Sequence, residues 1–532
     1  MEGKALNAWA NLNMAFNFLI FNRRLVFVML AWCMLSLHVN AQALPEANSI
    51  SALALPQLGD GADMSPATER RLGDRIAREL YRDPDYLDDP IILDYVQSLW
   101  QPLLVAARER GDLPPELDRN FAWEILLGRD RSVNAFALPG AYFGLHLGLV
   151  GTVTSRDELA SVLAHELSHV TQRHISRLIS RQSQQTPWLV GAMILGAMAA
   201  SRNPGAANAV IVGGQAVAAQ TQLNFSRDME READRVGFGV LTQAGFAPQG
   251  FVTMFAKLQQ ASRLNDAGRF PYLRSHPLTT ERMSDMQNRI PITVLSAMAN
   301  SNGVQDIEQA MVAARARVLS NMSADGLRVW AAQAKDSRFQ ALPVAAKAGI
   351  LYGTTLAALY MRDFATAQKI LIQLSVVSDA DANATRLVLL LKAEIALAQS
   401  DAVGAAELLN NVSSSGRRPE VLMAAQAMVK SGNPAAAAQN LQAWLADHPR
   451  DAAAWQELAH ANTSLGRRLA AIRAEAEVNI AQLNYADALI RLQAAQDFAR
   501  TGKASADYYE MSIVDTRIKQ VQQVLKEQAL ER

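Results

Sequence analysis

The sequence predicts an α+β chain in two parts. A mostly helical N-terminal domain with a small sheet is followed by an α-solenoid. Three observations carry this expectation. Apolar residues recur at helical spacing through most of the N-terminal half. Only two short stretches, Phe121 to Leu127 and Ala141 to Leu147, look like strands. Beyond about residue 300 the composition turns alanine-rich and related segments recur. At 532 residues the chain is long enough for two or more domains.

The chain opens on a targeting pattern. Arg23 and Arg24 precede an apolar run from Leu25 to Leu35, and Ala41-Gln42-Ala43 offers a cleavage site. Residues 1–43 are therefore expected to be an export signal. The unusually long stretch before Arg23 leaves Met14 as an alternative start and retention as an anchor as an alternative fate. The run is short for a membrane span. Cys33, the sole cysteine, lies inside it, and the preceding Trp32 does not suit a lipid-attachment box. A cleaved chain would hold no disulfide and no thiol nucleophile. The formal net charge of zero argues against a nucleic-acid partner held by bulk electrostatics, a local basic patch remaining open.

Residues 44 to about 64 read as an extended lead-in. Helices are expected over Thr68–Leu80 and Ile91–Arg108, where apolar residues keep helical spacing. Gly111 to Asn120, with two prolines, reads as a loop, and Pro139-Gly140 as a turn between the two strands. Arg156 to about Ser176 reads as one helix with Asp157 and Glu158 in its favourable first turn. Residues 188–220 form two apolar arms around Ser201-Arg202-Asn203-Pro204-Gly205. They are too short for ordinary spans and suit either a buried hairpin or one that touches membrane or an unfolded client. Another helix is expected over Pro248–Leu258, with the proline in its first turn.

Within the helix at 156–176 stands His165-Glu166-Leu167-Ser168-His169. Two histidines four apart share one helix face and can reach one tetrahedral ion, with Glu166 beside them as the base for an attacking water. A catalytic zinc needs a third protein ligand. Glu230 is the candidate, on a second helix where Asp234 stands one turn on and Glu232 projects elsewhere. Asp234 would orient a ligand histidine or the helix itself. An ordinary charged helix with paired side chains remains the plainer reading of that segment. His174, five beyond His169, points to another face and is not expected to bind metal, and His146 reads as structural. Further on, Ser275-His276-Pro277 precedes Arg282. His276 suits a metal ligand, a hydrogen bond to a tetrahedral intermediate, or a local cap. Arg282 would steady a carboxylate or the loop.

In the C-terminal part four segments align: Asp363–Leu371, Asp401–Leu409, Asn433–Leu441 and Asn484–Leu492. Each has Asp or Asn, then Ala four later, then Leu four later. Gly432 and Gly466 stand 34 residues apart, the tetratricopeptide period, and Val421 and Trp455 repeat at that offset. Stacked helix pairs of this kind bury a continuous core and offer a concave surface.

The His165-Glu166…His169 helix, Glu230 with Asp234, Asn134-Ala135-Phe136-Ala137 and Ser275-His276-Pro277 with Arg282 together resemble the M48 family of zinc metallopeptidases. The resemblance implies a zincin-type peptidase domain over 44–300, repeats over 301–532, and one Zn²⁺ on His165, His169 and Glu230. It implies Glu166 as catalytic base and His276 as a resting fourth ligand that keeps the enzyme latent. The order of targeting segment, peptidase and repeats is similar to family members that police outer-membrane proteins in the Gram-negative periplasm. It implies misfolded or stalled β-barrel proteins as clients, the barrel-assembly machinery as partner through the repeats, and peripheral contact with the outer membrane. A mainly non-proteolytic chaperone or scaffold with structural zinc is the alternative. A membrane-embedded peptidase spanning through 188–220 is the third reading.

Overall fold

The computed structural model describes residues 64–181, 226–263, 270–290, 306–410, 416–500 and 508–530. The export segment, the lead-in up to residue 63 and the apolar arms at 188–220 lie outside the described residues. Among the described residues no helix is long and apolar enough to cross a membrane.

The architecture is α+β, with a small mixed sheet and an extensive array of helices. Helix α1 (Pro66–Tyr81) is capped by Ser65, whose hydroxyl accepts the Thr68 N–H. After β1 (Tyr86–Leu87) comes α2 (Pro90–Glu109), which buries Ile92, Val96, Leu99 and Leu103 along one stripe. The expected loop before Asn120 instead holds a short helix, α3 (Pro115–Asn120), because Pro115 supplies a pre-set φ at its first turn. Strands β2 (Glu124–Gly128), β3 (Ala135–Leu138) and β4 (Tyr142–His146) complete a sheet of order β1-β2-β4-β3. β2 and β4 are parallel, and β3 runs antiparallel to β4 in the register Ala137 to Phe143. β4 is therefore interior, while β3 has one edge unpaired among the described residues.

Behind the sheet, α4 (Leu147–Thr152) leads to α5 (Arg156–Thr171), which is buried from Glu158 onward. Ser155 caps α5 by accepting the Glu158 N–H at 3.2 Å. The helix ends earlier than its sequence suggests. Arg173 adopts φ 55°, and a separate helix α6 (His174–Arg181) starts in a new direction. α5 packs on α7 (Arg227–Gln243) and α8 (Gln249–Arg263). At Gly237 of α7 an added Cβ would stand 3.0 Å from the Ala164 carbonyl oxygen, so glycine lets the two helices approach beside His165. A single turn α9 (Tyr272–Ser275) and helix α10 (Thr280–Arg289) close this region.

The helical array then begins with α11 (Ile307–Leu319), α12 (Ala324–Gln333) and α13 (Val344–Tyr360). It continues through α14 (Phe364–Ser378), α15 (Ala382–Ala398) and α16 (Ala402–Asn410). Next come α17 (Arg418–Lys430), α18 (Pro434–Asp447), α19 (Ala452–Ser464), α20 (Arg468–Ala481), α21 (Tyr485–Arg500) and α22 (Tyr508–Leu530). Successive helices pack on one another, a repeat-like arrangement consistent with a solenoid. Helices α14, α16, α18 and α21 coincide with the four aligned segments, and the aligned alanines Ala367, Ala405, Ala437 and Ala488 are all buried.

One apolar core runs from α2 through α5 into α11, α13 and α15. Arginines of the array also reach back to acids around α2. Arg315 pairs with Asp89 at 2.8 Å, Arg386 with Asp94 at 2.9 Å, and Arg418 with Asp88 at 2.6 Å. Between the array and β2 lies a cavity of about 710 Å³, lined in part by Tyr86, Trp123, Glu124, Arg417, Trp444 and Arg450.

Candidate metal centre

Four donor groups from two helices and a loop converge behind β3. α5 places His165 and His169 on one face, α7 brings Glu230, and the residue after α9 brings His276. One atom from each lies within 4.8 Å of the others, and all four residues are buried. His165 Nε2 is 3.0 Å from His169 Nε2 and 3.3 Å from His276 Nδ1. Glu230 Oε1 is 3.5 Å from His169 Nε2 and 3.1 Å from His276 Nδ1. Tetrahedral zinc with bonds of about 2.0–2.1 Å separates neighbouring donors by about 3.3 Å, so this spacing fits such an ion.

The tautomers give the same answer. His165 Nδ1 faces Asp234 Oδ1 at 3.0 Å, and His169 Nδ1 meets His174 Nδ1 at 2.9 Å. Protons on both Nδ1 atoms leave two bare Nε2 lone pairs facing each other, which a cation between them relieves. A proton can fill the same gap. Burial lowers the His165 pKa, but Asp234 and Glu230 outweigh it and raise it to about 9. For Glu230, burial favours the neutral acid, yet His276 and His165 hold its carboxyl well below the usual range. Asp234 and Glu230 thus favour positive charge at His165, whereas burial and the neighbouring His165 hold the His169 pKa well below its ordinary value.

Glu166 lies beside this cluster. Its Oε2 accepts the Ala137 N–H of β3 at 3.0 Å, and its Oε1 sits 3.5 Å from His276 Nε2. Burial raises its pKa, with His276 and His165 acting against that. Arg282 ties the surroundings together. It donates to both Asp234 oxygens at 2.6 and 2.8 Å and to the Pro277 carbonyl at 2.8 Å, and its Nη1 lies 2.8 Å from Glu230 Oε2. Asp234 thus stands beside a donor histidine, and Arg282 beside a donor carboxylate.

Other expectations fare differently. His146 lies apart from the cluster, with Nδ1 2.9 Å from the Ser132 hydroxyl. His174 is not among the four donors, but it does not point away, because the break at Arg173 turns it onto His169. Glu232 leaves the donor face as expected and meets His174 Nε2 at 3.0 Å. Tyr272 was not signalled by any motif. Its buried ring stacks on His276 with centroids 4.6 Å apart, and burial and the nearby Glu166 charge push its phenol pKa well up. The only sequence hint is its position one helical turn before His276.

The buried cluster of His165, His169, Glu230 and His276 is consistent with a metal-dependent catalytic site. Residues 103–290 match Peptidase family M48. The resemblance extends to whole relatives. The beta-barrel assembly-enhancing protease of Escherichia coli K12 is 30% identical over 493 residues, which cover 89% of this chain and 92% of that protein. That of Yersinia pestis is 29% identical over 80% of this chain and 83% of its own. The mitochondrial metalloendopeptidase OMA1 of Saccharomyces cerevisiae is 25% identical over 37% of this chain and 55% of its own. The chain belongs to the beta-barrel assembly-enhancing protease family, within the M48 peptidases.

Proposed function

We propose that the chain is a zinc-dependent endopeptidase that hydrolyses misfolded or stalled outer-membrane proteins in the periplasm. The observation that carries this reading is the convergence of four donor atoms beside a buried Glu166 that touches the outer edge of β3. His165, His169 and Glu230 would hold the ion. Zinc bound there would supply Lewis acidity toward water and the scissile carbonyl. Glu166 accepts a proton from the attacking water and returns it to the leaving amine. Its pKa, raised by burial, suits a group that must both take and give a proton.

Neither strand expected from the sequence offers an edge, since β2 lies between β1 and β4 and β4 lies between β2 and β3, so β3, which was not expected, is favoured for substrate pairing. The Ala137 N–H points away from β4 toward Glu166, so an extended client could add as a further strand there. His276 stands at the fourth corner of the donor set, where the reacting groups must enter. In this position it acts as a latch and leaves before turnover. The array and its cavity beside β2 offer a surface for the barrel-assembly machinery, as the relatives' name suggests.

Cleavage of an unfolded outer-membrane β-barrel protein, measured with zinc content, tests this reading. The wild-type chain should bind one zinc. Glu166→Gln should keep it and lose about 10²–10⁴-fold in rate. His276→Ala should raise cleavage. Undiminished cleavage by Glu166→Gln would reject the catalytic role. Zinc retention with client aggregation suppressed and no cleavage by any form would favour a chaperone with structural zinc.

A further inference from the structure

We propose that His174 and Glu232 form an outer relay that fixes the tautomer of His169 and so sets how tightly the centre holds its metal. The inference rests on the metallopeptidase reading above. His174 is fully buried, and its two ring nitrogens face two different groups. Nδ1 lies 2.9 Å from His169 Nδ1, and Nε2 lies 3.0 Å from Glu232 Oε2. The same Glu232 oxygen accepts from Arg177 Nη1 at 3.0 Å. Glu232 and Arg177 reach solvent, with side-chain exposures of 29% and 36%.

One proton pattern satisfies these contacts together. The Glu232 carboxylate can only accept, so His174 carries its proton on Nε2. The bare His174 Nδ1 then accepts from His169 Nδ1–H. That leaves the His169 Nε2 lone pair free and aimed at the other donors. The reverse pattern would set a His174 lone pair against the Glu232 carboxylate, which is repulsive. The charge on Glu232 thus decides, across one intervening imidazole, which nitrogen of His169 faces the centre. Such supports orient a ligand ring and raise its basicity. The two ligand histidines are supported differently: His165 faces a carboxylate directly, and His169 faces one through His174. The turn at Arg173 makes this geometry. Its N–H donates to the Val170 carbonyl at 2.9 Å, and its guanidinium is held by Glu69 at 3.0 Å.

The test is the zinc dissociation constant of the full chain, read by competition with a chromophoric chelator. The forms compared are wild type, His174→Phe, Glu232→Ala and the double variant. His174→Phe keeps an aromatic ring and removes both nitrogens, and should weaken zinc binding by about 10–100-fold. Glu232→Ala should weaken it less. The double variant should be no weaker than His174→Phe alone, because Glu232 acts through His174. The visible spectrum of the cobalt-saturated chain should shift in both single variants, which a merely structural role would not produce. Affinities within twofold of wild type, or effects that simply multiply in the double variant, would overturn the relay. If His174→Phe does not fold, Glu232→Ala decides alone by the same twofold criterion and cobalt spectrum. A wild-type chain without zinc, or zinc kept at full affinity by His169→Ala, would instead overturn the metal-site reading beneath it.

Discussion

At the scale of single residues, the centre depends on charges that are buried only because they are paired. Arg282 is 4% exposed and is held by both oxygens of Asp234. Asp234→Ala leaves that guanidinium buried with Glu230 as its remaining carboxylate. It should destabilise the chain by about 3–5 kcal/mol in chemical denaturation. Asp228→Ala on the same helix, where Asp228 is 85% exposed, should stay within about 0.5 kcal/mol of wild type. Equal effects would place the stability of α7 elsewhere. Residue type and a four-residue step singled out His165, Glu166, His169, Glu230 and Asp234 as candidates, and the Ser275-His276-Pro277 segment with its family resemblance singled out His276 and Arg282. Neither signal brought out His174. A helix continued from Arg156 to Ser176 carries a side chain five residues on to another face. The turn that reverses this rests on a positive φ at Arg173, a non-glycine residue whose sequence gives no turn signal. Tyr272 escaped for a related reason. A single aromatic residue before a proline-containing loop has no periodicity to mark it.

At the scale of elements, the site depends on how closely α7 approaches α5. Gly237 sits against the Ala164 carbonyl, one residue before the first donor histidine. A larger side chain there must push the helices apart and with them Glu230 away from His165. Gly237→Val should therefore cost about 1–3 kcal/mol of stability and weaken zinc binding together. Ser155→Ala, at the far end of α5, should cost about 1 kcal/mol through the lost cap and leave zinc affinity unchanged. Thermal unfolding of the metal-free forms beside zinc titration separates the two outcomes. If zinc affinity fell equally in both variants, general loosening of α5 would explain it and the close approach would not. The elements themselves were legible where periodicity or caps marked them, as in α1, α2 and α5. α3 was not, because two prolines read as a loop until Pro115 is seen to occupy a first helical turn.

At the scale of the whole molecule, the helical array is fastened to the peptidase part by its continuous core and by arginines that each bridge acids. Arg418 illustrates this. It joins Asp88, just before α2, at 2.6 Å to Asp451, which caps α19, at 2.9 Å. The repeat period located the helices from their turns, but it carries no information on which outward arginines find partners some 300 residues earlier in the chain. Arg418→Ala removes the cation between two acids and should cost about 3 kcal/mol. The pH dependence follows from Asp451. Burial alone would raise its carboxyl pKa, but Arg418 and the Trp444 N–H outweigh burial and hold it below the ordinary value. A group with a depressed folded pKa contributes in full above its unfolded pKa, near 4, and loses that contribution as pH falls through the folded value. Wild type should therefore exceed Asp451→Asn in stability by the largest margin near neutral pH. The margin should begin to shrink at about pH 4 and vanish below the folded pKa. Denaturant unfolding at a series of pH values measures it. A margin independent of pH down to strong acid would mean that the Asp451 charge contributes nothing to holding the two parts together.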